Sequence, residues 1–190
     1  AVVLATSVTL LTAPSRITIN QRGLRLKIVS TNVFVGPNVW ASFPVIRHVV
    51  DLGVLEDWPS AKIGTEFVEG LVTALPGLSD HGCSYRQEGG FLRRLREDEG
   101  TWMGHILEHC AIELQNVAGA DVTFGRTRGT GEVGHYNMVY AYKQRDAGIE
   151  AGHLALRLLM HLLPASLQQQ VDAVIDADFD FSLELESFVH

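Results

Sequence analysis

The chain is poor in several features that define protein classes. Of its 190 residues only two are cysteine, Cys83 and Cys110. That is too few for a disulfide framework and suits a reducing compartment, so a cytoplasmic location is expected. No apolar run reaches the ~20 residues that a membrane-spanning helix requires. Basic residues are in deficit: 15 Lys and Arg against 22 Asp and Glu leave a net charge of −7. Nucleic-acid binding ordinarily needs a clustered basic face, so no nucleic-acid partner is expected. Phosphate-binding signatures are missing too, with neither GxxxxGK[ST] nor a GxGxxG between strand and helix. At 46% apolar residues the chain is too hydrophobic to be disordered. What remains is a globular domain, long enough to bury around two-thirds of its unfolded surface.

The ends differ from the middle. Residues 1–14, AVVLATSVTLLTAP, are apolar like a signal-peptide core but carry no basic segment ahead of the apolar run. They read as part of an N-terminal extension over 1–25. Asp172–Asp180 holds four aspartates, so 166–190 is expected to be an acidic linker or the start of a further domain.

Between these, 26–165 reads as the folded unit. Leu26–Val35 and Val45–Leu52 are rich in β-branched residues and predict strands, the first ending at the turn signal Gly36-Pro37-Asn38. Ser60 is placed to cap a helix over Ala61–Leu75, stopped by Pro76-Gly77. A short helix is expected over Phe91–Arg96. Thr101 would cap a long one running through Met103, Ile106, Leu107, Ala111 and Leu114 to Gly119. Gly125–Gly134, with four glycines and two arginines, reads as a loop. A strand over Val133–Tyr142 and a helix over Asp146–Leu163 complete the pattern. Strands and helices without a βαβ rhythm predict an α+β fold, a small mixed sheet packed by several helices.

The sharpest local pattern is His105-Ile106-Leu107-Glu108-His109. Residues four apart share a helix face, so His105 and His109 can aim their imidazoles at one point. Two histidines at that spacing suit zinc, and Glu108 between them could serve as general base toward water, the order being that of inverted zinc peptidases. The same pair could equally be hydrogen-bonded at a packing interface. A catalytic zinc needs a third protein ligand. Glu113 lies about 12 Å along the helix axis from His105, too far to complete that site. Glu150 is the leading candidate, with Asp146 one turn earlier and Glu69 and His81 as others. Cys83 and Cys110 have no metal-type spacing and are expected to be inert thiols.

Arginines supply a second theme. Arg126 and Arg128 in Gly125–Gly129 suit recognition of carboxylate or phosphate. Arg86, Arg93, Arg94 and Arg96 surround Gly89-Gly90, the last three reading equally well as a solvated helix face.

The segments Gly36-Pro37-Asn38-Val39-Trp40, Leu75-Pro76-Gly77-Leu78, His81-Gly82-Cys83-Ser84 and Gly89-Gly90-Phe91 form a recognisable series. It continues through Gly100-Thr101-Trp102-Met103-Gly104-His105-Ile106-Leu107-Glu108-His109, Glu113-Leu114-Gln115 and Phe124-Gly125-Arg126-Thr127-Arg128. Over 26–164 the chain resembles the N-terminal domain of cyanophycin synthetases. These enzymes use ATP to polymerise aspartate and arginine into cyanophycin, a poly-aspartate backbone with arginine on each side-chain carboxylate. The resemblance implies a module of a larger ligase whose ATP- and magnesium-using domains lie outside these residues. It also implies a homo-oligomer through the full-length enzyme, and cyanophycin as partner.

Its implied role is to hold the growing polymer near those ligase sites. Arg86, Arg126 and Arg128, with Glu88, Glu97 and Asp98, would be the polymer-contacting charges. Some members have an N-terminal domain that looks like a zinc peptidase cutting cyanophycin into primers, which implies metal ligation by His105 and His109 and a base role for Glu108. Where relatives are acidic before the last helix, this chain reads Lys143-Gln144-Arg145-Asp146, so Asp146 or Glu150 would have to substitute. A domain that only organises an oligomer is the third expectation.

Overall fold

The computed structural model of the chain describes residues 26–83, 90–168 and 178–190. The expected N-terminal extension, Arg86 and Glu88 lie outside the described residues.

Two β-branched runs form the first hairpin, β1 (Lys27–Phe34) and β2 (Val45–Asp51). The connection is organised by Asn38. Its side-chain amide donates to the carbonyls of Gly36 (2.8 Å) and Phe43 (3.2 Å), and its Oδ1 accepts from the backbone N–H of Trp40 (2.8 Å) and Ala41 (3.2 Å). One side chain thus substitutes for the backbone partners that a tight turn would otherwise leave to solvent.

After β2 the chain turns through a 3-10 segment, Gly53–Asp57, into two short helices, α1 (Ser60–Ile63) and α2 (Thr65–Ala74). The single helix expected over Ala61–Leu75 is broken because Gly64 takes φ +122°, a conformation that other residues rarely adopt. Ser60 does not cap. It is buried, donating from Oγ to the Leu95 carbonyl (2.8 Å) and accepting from the Thr101 N–H (2.9 Å). A second 3-10 segment, Pro76–Asp80, follows, and then α3 (Gly90–Arg96) and α4 (Met103–Val117). Thr101 is not the cap of α4 either. The helix starts one residue later, after Trp102 and without a side-chain cap, because the Thr101 hydroxyl is taken by His105.

The region read as a loop over Gly125–Gly134 holds β3 (Gly125–Gly129), paired antiparallel with β4 (His135–Ala141). The turn proper is only Thr130–Gly134, where Gly131 and Gly134 have φ of +96° and +80°. Strand order is β1-β2-β4-β3, and all three pairings are antiparallel. The α+β class holds, with a sheet that is antiparallel throughout rather than mixed.

Helices α4 and α5 (Arg145–Leu162) pack on one another and on the sheet. Their apolar stripes supply Ile106, Leu107, Cys110, Ala111 and Leu114 from α4, and Leu154, Ala155, Leu158 and Leu159 from α5, all buried with Ile46, Val50, Met138 and Tyr140 of the sheet. Gly148 and Gly152 let α5 approach closely. A Cβ on Gly152 would fall 2.6 Å from both His48 Nε2 and the Tyr140 hydroxyl. A short α6 (Ala165–Gln168) and the closing α7 (Phe181–Val189) follow. Asp180 caps α7 by accepting from the N–H groups of Ser182 (2.9 Å) and Leu183 (3.4 Å), and Glu184 ties it to Arg157 of α5 (2.8 Å). Among the described residues no helix is long and apolar enough to cross a membrane.

Candidate functional site

Helix α4 carries the site on the face that meets β3 and the segment leading to α3. Its first half, with Trp102, Cys83, Arg94 and the whole of β3, lines a cleft of about 1050 Å³. The helical spacing does what it predicts: His105 Nε2 and His109 Nε2 lie 3.1 Å apart. The thiol of Cys83 joins them, its Sγ 3.6 Å from His105 Nε2. One ligand atom from each of Cys83, His105 and His109 lies within 4.8 Å of the other two.

The far ring nitrogens are also engaged. His105 Nδ1 is 2.8 Å from the Thr101 hydroxyl. His109 Nδ1 is 3.0 Å from His81 Nδ1, and His81 Nε2 is 2.8 Å from Glu113 Oε2. Phe91 of α3 stacks on the His109 ring, centroids 3.9 Å apart and planes at 15°, and meets His105 edge-on. Burial under this ring disfavours the imidazolium forms. It lowers His105 to about 4, helped by the Arg94 charge, and His109 to about 2, helped by His105 and His81. Both histidines are therefore neutral at physiological pH, the form in which imidazole ligates a metal.

Glu108 leaves the same helix toward β3. Burial raises its carboxyl to about 7, against the opposing pull of the Thr127 hydrogen bond and the Arg126 charge. Thr127 donates its hydroxyl to Glu108 Oε2 at 2.6 Å. The fit is close enough that a Cβ on Gly125 would sit 2.7 Å from the Cγ and Cδ of Glu108. Any side chain at this strand position would thus force the Glu108 carboxylate to shift.

The other candidates scatter. Glu150 lies on α5 with half its side chain exposed and pairs with Arg157 (3.3 Å), so it does not reach the imidazoles. Asp146 is exposed and paired with Arg145 (2.8 Å), and Glu69 pairs with Arg96 (2.7 Å). Each of these carboxylates sits on a solvent-facing helix surface, where a nearby arginine takes it. His81 does reach the site, behind His109. Arg126 and Arg128 line the cleft. The reading of Arg94 as part of a solvated face does not hold: it is buried, lines the cleft and pairs with Glu97 (2.7 Å), whereas Arg93 and Arg96 stay on the surface.

Sequence reasoning read Cys83 as an inert thiol without placing it beside His105, and it excluded Glu113 on a distance argument that holds for direct ligation only. The signal available for Cys83 was its place two residues after His81 in a glycine-flanked segment, which carries no metal-type spacing of its own.

A family model described as the cyanophycin synthase-like N-terminal domain matches residues 47–164. Among curated proteins, cyanophycin synthetase of Geminocystis herdmanii is 47% identical over 135 residues, which is 70% of this chain and 15% of the relative. That of Synechocystis sp. is 46% identical over 140 residues, 73% of this chain and 16% of the relative. That of Trichormus variabilis is 42% identical over 169 residues, 83% of this chain and 18% of the relative. The chain thus spans less than a fifth of the length of these relatives.

Proposed function

Because the chain belongs to the cyanophycin synthase-like N-terminal domain family, we propose that its cleft takes a segment of cyanophycin and hydrolyses an amide bond of it with the help of a divalent metal. The observation that carries this reading is the convergence of Cys83, His105 and His109 beside Glu108 in one cleft. Two imidazoles and a thiolate are a donor set that zinc favours, and three protein ligands leave one position open for chemistry. A metal held there supplies Lewis acidity, polarising a carbonyl and easing the deprotonation of water.

The chain's own groups do the rest. Glu108 takes a proton from the attacking water as its oxygen bonds to the carbonyl carbon. It then gives that proton to the departing amine as the C–N bond breaks. Thr127 holds the carboxylate in place for both transfers. Arg126 and Arg128 face a polymer in which every repeat carries an arginine guanidinium and that arginine's free α-carboxylate. Their role is to orient it, with Glu56 and Asp57 at the cleft wall offering the opposite charge.

The test is mass spectrometry of cyanophycin segments incubated with zinc-loaded chain. Cleavage is expected for the wild type and lost in Glu108→Gln with metal content unchanged. Cleavage that survives Glu108→Gln overturns the mechanism.

A second reading is that the cleft anchors the polymer for ligase domains beyond this chain. The paired arginines on β3 favour it, since holding a chain end raises its effective concentration at a second site. Calorimetry with uncut segments tests this, and binding unaffected by Arg126→Ala with Arg128→Ala would reject it.

A further inference from the structure

Glu113, His81 and His109 form a linear series of side chains whose geometry fixes more than packing. The side chains of Glu113 and His81 are each only 10% exposed, so both are largely screened from bulk water. The series is held from several sides. Gly77 presses on the Glu113 carboxylate so closely that a Cβ there would fall 2.6 Å from Cδ. The Phe91 N–H donates to the His81 carbonyl (2.9 Å), and Gly90, at φ +69°, would bring a Cβ within 2.8 Å of that same oxygen.

Each ring nitrogen in the series has one partner, so proton placement follows by elimination. A carboxylate only accepts, so the contact with Glu113 needs a proton on His81 Nε2, and with a single proton on that ring its Nδ1 is left with a lone pair. His109 Nδ1, facing that lone pair at 3.0 Å, must then be the N–H donor. A neutral imidazole carries one proton, so His109 Nε2 is left bare and faces His105 Nε2. We propose that His81 and Glu113 are positioning residues that hold His109 in the Nδ1–H tautomer and so make its Nε2 the ligating atom. Carboxylate partners reached directly or through a relay are a general means of orienting metal-bound histidines. Here the relay has an extra imidazole, which lets a carboxylate one turn along α4 act on a ligand it cannot touch.

This rests on the metal-binding reading above, but the first test does not need metal. Long-range ¹H–¹⁵N correlation spectra of the metal-free 190-residue chain should show His109 as the Nδ1–H form. Glu113→Leu and His81→Phe should each move it toward Nε2–H, while Glu113→Gln, whose amide oxygen still accepts from His81, should retain the wild-type form. The second test is Co²⁺ affinity by chelator competition. A loss of about 10–100-fold is expected in Glu113→Leu and near-wild-type affinity in Glu113→Gln. An ordinary buried hydrogen bond would lower thermal stability without moving the tautomer. Folded variants with unchanged His109 tautomer and bound Co²⁺ overturn the positioning role alone. A wild-type chain that binds no Co²⁺ while the tautomer still follows Glu113 overturns the metal reading alone.

Discussion

Protonation of His48 is expected to make a separable contribution to the acid sensitivity of this fold. His48 lies on the central strand β2 and is fully buried. Its proton position is determined by its neighbours. The Tyr140 hydroxyl donates to the Gly148 carbonyl (2.8 Å), so its oxygen must accept from His48 Nε2–H (2.8 Å). That leaves His48 Nδ1 to accept from the Thr31 hydroxyl (2.8 Å). A second proton would have no acceptor without turning Thr31, would lie in an apolar interior, and would face the His153 ring 5.7 Å away. Burial first, and His153 second, lower His48 from 6.5 to about 4.

Above about pH 6.5 His48 is neutral in both folded and unfolded chains and contributes no pH dependence. As pH falls through 6.5 the unfolded chain takes a proton that the folded one refuses, so stability is lost until the folded form protonates near pH 4. The gap corresponds to about 3 kcal/mol in all, of which about 2 kcal/mol is gone by about pH 5. The assay is urea unfolding of wild type and His48→Phe at several pH values, because the difference cancels every other titrating group. The variant is expected to be less stable at neutral pH by about 1–3 kcal/mol for the unpaired Tyr140 and Thr31 oxygens. Its deficit should shrink by about 2 kcal/mol near pH 5. A deficit independent of pH, or a His48 resonance titrating near 6.5, would refute the reasoning.

Four other outcomes are expected. Gly152→Ala places a methyl 2.6 Å from the Tyr140 hydroxyl and His48 Nε2, so denaturant unfolding should show a loss of about 1–3 kcal/mol with Co²⁺ binding intact. Gly125→Ala drives a methyl into Glu108; cyanophycin cleavage should fall while metal affinity is kept, and unimpaired cleavage would mean that the carboxylate is not where the chemistry happens. Zinc at about 100 times its dissociation constant should stabilise the chain by about 2.7 kcal/mol, reversed by chelator, and Cys83→Ser should abolish the thiolate-to-metal absorption band of the Co²⁺ form.

Elements whose shape is local were legible in the chain. The β1–β2 hairpin follows from β-branched runs around an asparagine turn, and α4 and α5 follow from 3.6-residue periodicity, which also brings His105 and His109 together. Elements set by partners were not. GRTRG becomes a strand because β4 pairs with it, and that pairing is not written in five residues of glycine, arginine and threonine. The helix over Ala61–Leu75 kept its period but broke at Gly64, where backbone freedom outweighs pattern. Carboxylates misled for a simpler reason: Glu150, Asp146 and Glu69 stand on helices at plausible spacing, and only the fold reveals that each has an arginine nearer than any imidazole. Cys83 carries no periodic signal, since its approach to His105 depends on how the segment between them folds back.

That approach has a kinetic side. His105 and His109 become neighbours as soon as α4 coils, whereas Cys83 joins only after a stretch of 22 residues has closed on itself. Closing such a stretch costs on the order of 3 kcal/mol of chain entropy. A nascent chain would therefore offer a cation two points of attachment early and the third late. Were a metal held there, its tight retention would report that α3, with Phe91 laid on His109, has docked at this end of the sheet.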